Sequence, residues 1–293
     1  MRLASLRSKS GPFIGARRDG AYVDLNAALP SLEHRDVGAL LRSGTFDARA
    51  LAAAAASAHA PVNAAELGGV TYDPPLAAAT KVICLGLNYI DHAAESEHAK
   101  PDFPVIFNRF VTSFVGHGQG LLLPPESHQF DYESELVVVI GRRGRRVPRE
   151  RALEHVAGYT LMNDGSIRDY QLRTPQWTLG KNFDASGSIG PELVTADELP
   201  PGARGLRLEG RLNGTVMQAA STSDMIFDVE TTIAFVSLAI TLEPGDLIAM
   251  GTPSGVGFAR KPPVFLRPGD VFEVEVERVG TLRNPIVSET DAP

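Results

Sequence analysis

Residues 131 to 141 read DYESELVVVIG. Asp131, Glu133 and Glu135 stand on alternate positions, and the string then turns apolar. Alternate residues of a strand share a face, so Asp131, Glu133, Glu135, Val137 and Val139 fall on one side. The other side carries Tyr132, Ser134, Leu136, Val138 and Ile140. Both faces are apolar beyond Glu135, which marks a strand covered on both sides there. Burying unpaired carboxylates is costly, so something positive must balance Glu133 and Glu135. A divalent cation is the economical choice. Oxygen ligands without a neighbouring His or Cys favour Mg²⁺, Mn²⁺ or Ca²⁺ over Zn²⁺. The plainer alternative is an acidic turn salt-bridged to Arg142 or Arg143.

Further strings carry groups suited to the same chemistry. MNDGSIRDYQ (162–171) offers Asp164 as a third carboxylate, enough with waters for an octahedral Mg²⁺ shell. GKNFD (180–184) places Lys181 between a glycine and an asparagine. GTPSGVG (251–257) lacks the Lys-Ser/Thr ending of a P-loop. Its glycines can still bring backbone N–H groups and Thr252 up to a carboxylate or oxyanion, or make only a tight turn. In GLNYIDHAAESEHAKPDFP (86–104), His92 and Glu95 are three apart and share a face if the segment is helical. His98 is a second, weaker candidate base. His117, in FVGHGQG, is near enough in the chain to belong to the same pocket but has no evident role.

The elements that must position these groups are mostly strands. KVICLGLN, ELVVVIGR, HVAGYTLMND, GLRLEGRLNG, DLIAMGT and VFEVEVERVG read as strands separated by turn residues. Pro-Gly-Asp occurs at 244–246 and 268–270, and a Pro-Gly pair fits the centre of a type II turn. In VFEVEVERV, Glu273, Glu275 and Glu277 alternate with apolar residues and mark a solvated face. Helices are expected near 149–156 and 229–241, and the alanine-rich 47–60 stretch is helix or connector. A boundary falls near Pro74–Pro75. The chain is thus α+β and β-rich, with a small variable N-terminal domain (1–75) and a catalytic domain (76–293).

Composition narrows the function. A formal net charge of -7, from 28 basic and 35 acidic residues, argues against a nucleic-acid partner. The single cysteine, Cys84, excludes an intrachain disulfide and sits in an apolar strand, which suits a reducing compartment. MRLASLRSKS lacks the apolar core of a signal peptide, and no run approaches a membrane span, so the expected location is cytoplasmic.

Taken together, GLNYIDHAAE, DYESELVVVIGR, GYTLMNDGSIRDYQ, GKNFD and GTPSGVG resemble the fumarylacetoacetate hydrolase family in type, order and spacing, over roughly residues 80 to 287. The resemblance implies a mixed β-sandwich roll, a homodimer, and one Mg²⁺ or similar ion on Glu133, Glu135 and Asp164. It makes Arg168, Gln171, Lys181 and Thr252 pocket residues. It also implies a His92–Glu95 dyad on a mobile lid, as in related acylpyruvate hydrolases, with Glu95 orienting the imidazole and His92 activating water. Lys181 and Gln171 are then candidates to stabilise an oxyanion. Three departures from the family pattern stand out. Gly165 and Ile167 replace Val and Ala, with Gly165 expected to loosen one wall. GSIGP replaces Pro-x-Gly-Pro. Arg109, in NRFVTSFVG, stands for a common lysine, with a fork able to grip a substrate carboxylate.

The expected activity is metal-dependent hydrolysis of a carbon–carbon bond in an acylpyruvate-type β-diketo acid, releasing pyruvate. The alternatives are an oxaloacetate-type decarboxylase, or a hydratase or isomerase of an unsaturated 2-oxo acid, on the same metal. A non-catalytic protein with a structural ion is the remote alternative. A small 2-oxo or diketo acid is the expected partner, with neither nucleic acid nor membrane.

Overall fold

The computed structural model describes residues 1–58, 70–75, 79–95 and 100–291, without the side chains of 92–94. His98 and the side chain of His92 therefore lie outside the described residues.

The β-rich reading holds, and its physical basis is the strand alternation. Among the described residues, eleven strands form one mixed sheet. Its main path runs Ala21–Asp24, Gly11–Arg18, Arg2–Ser8, Gly187–Thr195, Val156–Asn163, Ser134–Ile140, Leu247–Ala249, Val82–Gly86, Val105–Arg109. A five-stranded sheet packs against it, built from Thr215–Ser221, Arg207–Leu212, Val271–Val276, Gly280–Ser288 and Leu121–Leu123. Leu136, Val138, Ile140 and Leu161 meet Leu208, Phe272, Val274 and Leu282 between the sheets. The other face of the Ser134–Ile140 strand, Val137 and Val139, is covered by Leu3, Val37, Leu40 and Leu41 from the N-terminal segment, with Cys84 in the same cluster. A strand covered on both faces needs apolar residues at every position, and LVVVI supplies them.

The N-terminal segment is stitched in by pairing as well as packing. Leu3 pairs with Leu193 in antiparallel register. Nearby, the buried Glu192 accepts from Tyr22 Oη at 2.6 Å and Arg17 Nε at 2.5 Å. The helices run over Ala48–Ser57 and Val229–Ala239, the latter capped by Asp228 accepting from the Thr231 N–H. The 149–156 helix is a 3₁₀ segment, Arg149–His155. Gly245 and Gly269 take positive φ in the two Pro-Gly-Asp turns, as a type II turn requires.

One local expectation fails. Asp131 does not continue the Ser134–Ile140 strand. Phe130–Asp131 pairs instead with Ser166–Ile167 as a separate two-stranded ribbon. The chain breaks register between them, so the three acids do not line one continuous face.

Candidate active site

The Ser134–Ile140 and Val156–Asn163 strands set the centre. Their register places Ser134 opposite Asn163, and the Asp164 N–H then donates to the Glu133 carbonyl at 2.9 Å. Two distant strings thereby bring their acids together. Glu133, Glu135 and Asp164 are all buried and offer one oxygen each within 4.8 Å of one another. Arg142 and Arg143 are not their partners, since these bond Glu154 and Glu243 on the surface.

The partners come from the two short helices that follow. Lys181 Nζ lies 2.7 Å from Glu133 Oε2 and 2.6 Å from Asp164 Oδ2. Burial pulls its pKa down, but Asp164 and Glu133 more than offset this, so the ammonium is held charged. Arg168 Nη2 lies 2.7 Å from Glu133 Oε1, Nε bonds Asp131 Oδ2 at 2.8 Å, and Nη1 donates to Gln171 Oε1 at 2.8 Å. Gln171, with its Oε1 engaged by Arg168, lines the pocket.

Glu135 is the acid with least compensation. Its hydrogen bond is from the Gly251 N–H, at 2.9 Å. Burial, then Asp164 and Glu133, push its pKa well above the carboxylate range. Among the described residues, the buried carboxylates of Asp131, Glu133, Glu135 and Asp164 face three cations, Arg109, Arg168 and Lys181, none of them within ion-pair distance of Glu135, so the cluster is one positive charge short. The donor set is all oxygen, which fits a hard divalent cation held by Glu133, Glu135 and Asp164.

The 251–257 loop presents its N–H groups to the protein's own carboxylates. Gly251 N–H serves Glu135, Gly255 N–H serves Glu95 at 2.6 Å, and Gly257 and Phe258 N–H serve Asp131 at 2.7 and 3.0 Å. Thr252 lines the pocket, with its hydroxyl donating to the Ser134 carbonyl and accepting from Gln218.

Three expectations change. Arg109 is fully buried, and its five N–H directions are all used, on Ser113 Oγ and O, Asp164 Oδ1, Gly165 O and Ser186 Oγ. It therefore fixes Asp164 from behind, with nothing left for a substrate carboxylate. Gly165 does not loosen a wall, because a Cβ there would come 1.9 Å from the Ser186 carbonyl. Glycine is what permits that close packing. His117 sits away from the pocket, accepting from the Arg283 N–H at 3.1 Å and packed edge-on to Tyr72. The sequence reading also missed groups, chiefly Asp131 as the tether of Arg168 and Trp177, Phe107 and Phe258 as pocket walls.

The family model "Fumarylacetoacetate (FAA) hydrolase C-terminal" matches residues 81–287. The protein named oxaloacetate tautomerase Fahd2a, mitochondrial, of Rattus norvegicus is 42% identical over 269 residues, 92% of this chain and 84% of its own. A solved fumarylacetoacetate hydrolase from Exiguobacterium antarcticum superposes with a TM-score of 0.85 at 34% identity, covering 99% of this chain and 100% of its own. A solved 5-carboxymethyl-2-hydroxymuconate delta-isomerase from Mycobacterium smegmatis gives 0.76 at 32%, with coverage of 99% and 100%. No helix among the described residues is long and apolar enough to cross a membrane. With that match over most of its length and relatives of this identity, the chain belongs to the fumarylacetoacetate hydrolase family.

Proposed function

We propose that the protein interconverts the keto and enol forms of a small 2-oxo diacid of the oxaloacetate type, using Mg²⁺ on Glu133, Glu135 and Asp164. The observation that carries this reading is the buried acid trio beside Lys181, with Glu133 and Lys181 lining a pocket of about 90 Å³. The name of the rat relative and that of the mycobacterial isomerase support isomerisation over hydrolysis. This lies nearer the isomerase alternative than the acylpyruvate hydrolase expected from sequence.

Tautomerisation breaks no carbon–carbon bond and consumes no water. A proton leaves the carbon beside the 2-oxo group and one arrives on its oxygen, or the reverse. A bound divalent cation supplies Lewis-acid stabilisation of enolate charge. The chain's residues do the rest. Lys181, held protonated by Glu133 and Asp164, directs a fixed positive charge toward that oxygen. Gln171 donates its amide N–H to a substrate oxygen, and Arg168 holds Gln171 and Glu133 in place. In this reading His92 carries the proton at carbon, with Glu95 orienting it as the family resemblance implies. Arg109 orients Asp164. Thr252 shapes the wall. A homodimer belongs to the same reading, supported by the exposed side chains of Phe110, Leu172 and Leu179. A cytoplasmic or other reducing compartment is supported by the lone, buried Cys84.

The second reading is hydrolysis of an acylpyruvate. The His92–Glu95 spacing favours it, as does the name of the Exiguobacterium structure. The test uses metal-stripped protein with and without Mg²⁺ on oxaloacetate, acetylpyruvate and fumarylpyruvate. Enol absorbance and pyruvate release are followed separately. Mg²⁺-dependent enol–keto exchange of oxaloacetate without pyruvate release is expected. Pyruvate released from the diketo acids, with no exchange, would move the assignment to the hydrolase. Pyruvate from oxaloacetate alone would make it a decarboxylase. No turnover in any arm would favour the non-catalytic ion site.

A further inference from the structure

Trp177 lines the pocket and takes no part in the acid cluster. Trp177 is the chain's only tryptophan. It stands immediately before the Thr178–Lys181 helix and after the exposed 172–176 stretch, so the elements carrying Arg168, Gln171 and Lys181 also place the indole. Those two helices are pressed together at Gly180, where a Cβ would come 2.3 Å from the Gln171 nitrogen. The anchor of Trp177 is therefore rigid on the side of the catalytic groups.

From that anchor the indole reaches the opposite wall. It lies edge-on to Phe107, with ring centroids 5.5 Å apart. It also covers Gly86, where a Cβ would come 2.5 Å from Cζ3 and 2.8 Å from Cη2. Gly86 is not among the glycines with positive φ, so the backbone does not call for glycine there. The seat of the indole does. Trp177 is half-buried, while Glu133 and Lys181 are buried, so the indole forms the solvent side of the pocket. The pocket volume is about 90 Å³, whereas an apolar cavity of about 150 Å³ takes benzene. The space suits a chain of a few atoms beyond the 2-oxo acid and no more.

We infer that Trp177, seated on Gly86 and Phe107, is the specificity-determining residue of this site, closing the pocket against 2-oxo acids with long acyl tails. The inference rests on the proposed 2-oxo acid site, but not on which reaction the site performs.

The experiment uses the full chain with Mg²⁺ in wild-type, Trp177→Ala, Trp177→Phe and Gly86→Ala forms. Wild-type emission comes from Trp177 alone, so occupancy of the pocket is read directly by fluorescence, with calorimetry for the Trp177 variants. The probes are oxalate and 2-oxooctanoate. Oxalate should change wild-type emission saturably. Trp177→Ala should raise affinity for 2-oxooctanoate relative to oxalate by about tenfold, the scale of a few apolar contacts. Trp177→Phe should restore most of the wild-type ratio. Gly86→Ala should shift the emission of the unliganded protein by displacing the indole. An unchanged affinity ratio in Trp177→Ala, or wild-type emission that ignores saturating oxalate, would overturn the inference. If the ratio moves and no 2-oxo acid is turned over, the proposed reaction fails and the role of Trp177 stands. If oxaloacetate is tautomerised and the ratio stays fixed, the reverse holds.

Discussion

The carboxylate of Glu95 accepts the backbone N–H of Gly255 at 2.6 Å, joining the Ile90–Glu95 helix to the loop that also secures Glu135 and Asp131. Its second oxygen, Oε1, is buried without a hydrogen-bond partner among the described residues. Burial raises its pKa against the opposing pull of the Gly255 N–H and Arg260. A carboxyl whose folded pKa is raised stabilises the protein below the ordinary carboxylate pKa. That contribution is lost as pH rises through the shifted value. Glu95→Gln keeps an acceptor for Gly255 and removes the titration. Its melting temperature should therefore fall less than that of the wild type as pH rises through the carboxylate range. Its kcat should fall by roughly 10- to 100-fold with Mg²⁺ affinity unchanged, if Glu95 acts by orienting His92. A parallel loss of Mg²⁺ binding in calorimetry would instead place Glu95 in the metal site.

Removing the shared lysine should be severe. Lys181→Met leaves Glu133 and Asp164 buried without their common partner. The expected cost is about 3 kcal/mol in denaturant unfolding of the metal-free protein. Saturating Mg²⁺ should recover part of that stability, and activity should stay down by at least roughly 100-fold. Recovery of activity along with stability would show that Lys181 only balances charge.

Glu135→Gln should separate stability from metal binding. It relieves repulsion among three buried carboxylates, so the metal-free variant should melt no lower than the metal-free wild type. Wild type at Mg²⁺ a hundredfold above its Kd should gain about 2.7 kcal/mol, and the variant little of it. An equal Mg²⁺-induced rise in both would remove Glu135 from the ligand set.

Asp131→Asn tests the tether. Asp131 Oδ1 accepts from Gly257 and Tyr132 N–H, and Oδ2 from Arg168 and Phe258. An amide must turn two N–H groups onto existing donors, whichever way it faces. The expected result is a loss of roughly 10- to 100-fold in kcat/KM. Wild-type kinetics would show that Arg168 keeps its place without Asp131.

His117 gives the opposite pH sign. Burial, then the Arg283 charge, lower its pKa, and its Nδ1 must be unprotonated to accept the Arg283 N–H. A depressed folded pKa contributes stability above the ordinary imidazole value, lost as pH falls through the folded one. Wild-type melting temperature should therefore drop between neutral and mildly acid pH more steeply than that of His117→Gln. Parallel curves would assign the acid loss elsewhere.

The sequence made part of this legible for a physical reason. Glu133 and Glu135 are two apart at the start of a strand that is apolar on both faces, so the sheet period alone brings them together. Asp164 was readable because it follows the GYTLMN strand directly. The role of Arg109 was not, since its partners at 113, 164, 165 and 186 meet only through strand register. Asp131 was misplaced because nothing local announces the break before Ser134. Gly86 and Trp177 are 91 positions apart, and neither carries a motif that predicts the other. The loop amides around 251–257 were open to two readings, anion-facing or only a tight turn, and the anions they face are the protein's own side chains.

The pairing of Leu3 with Leu193 gives the first strand a guarding duty. In the sheet order, the Gly187–Thr195 strand lies two places from the acid-bearing Ser134–Ile140 strand. A chain trimmed at Pro75 would leave its Leu193–Val194 end unpaired on that side, since Phe114–Val115 pairs only with Gly187 and Ser188, and would strip Glu192 of Tyr22 and Arg17. Open edges recruit foreign strands. The N-terminal segment thereby keeps the catalytic sheet from polymerising with its own kind, at a distance from any chemistry.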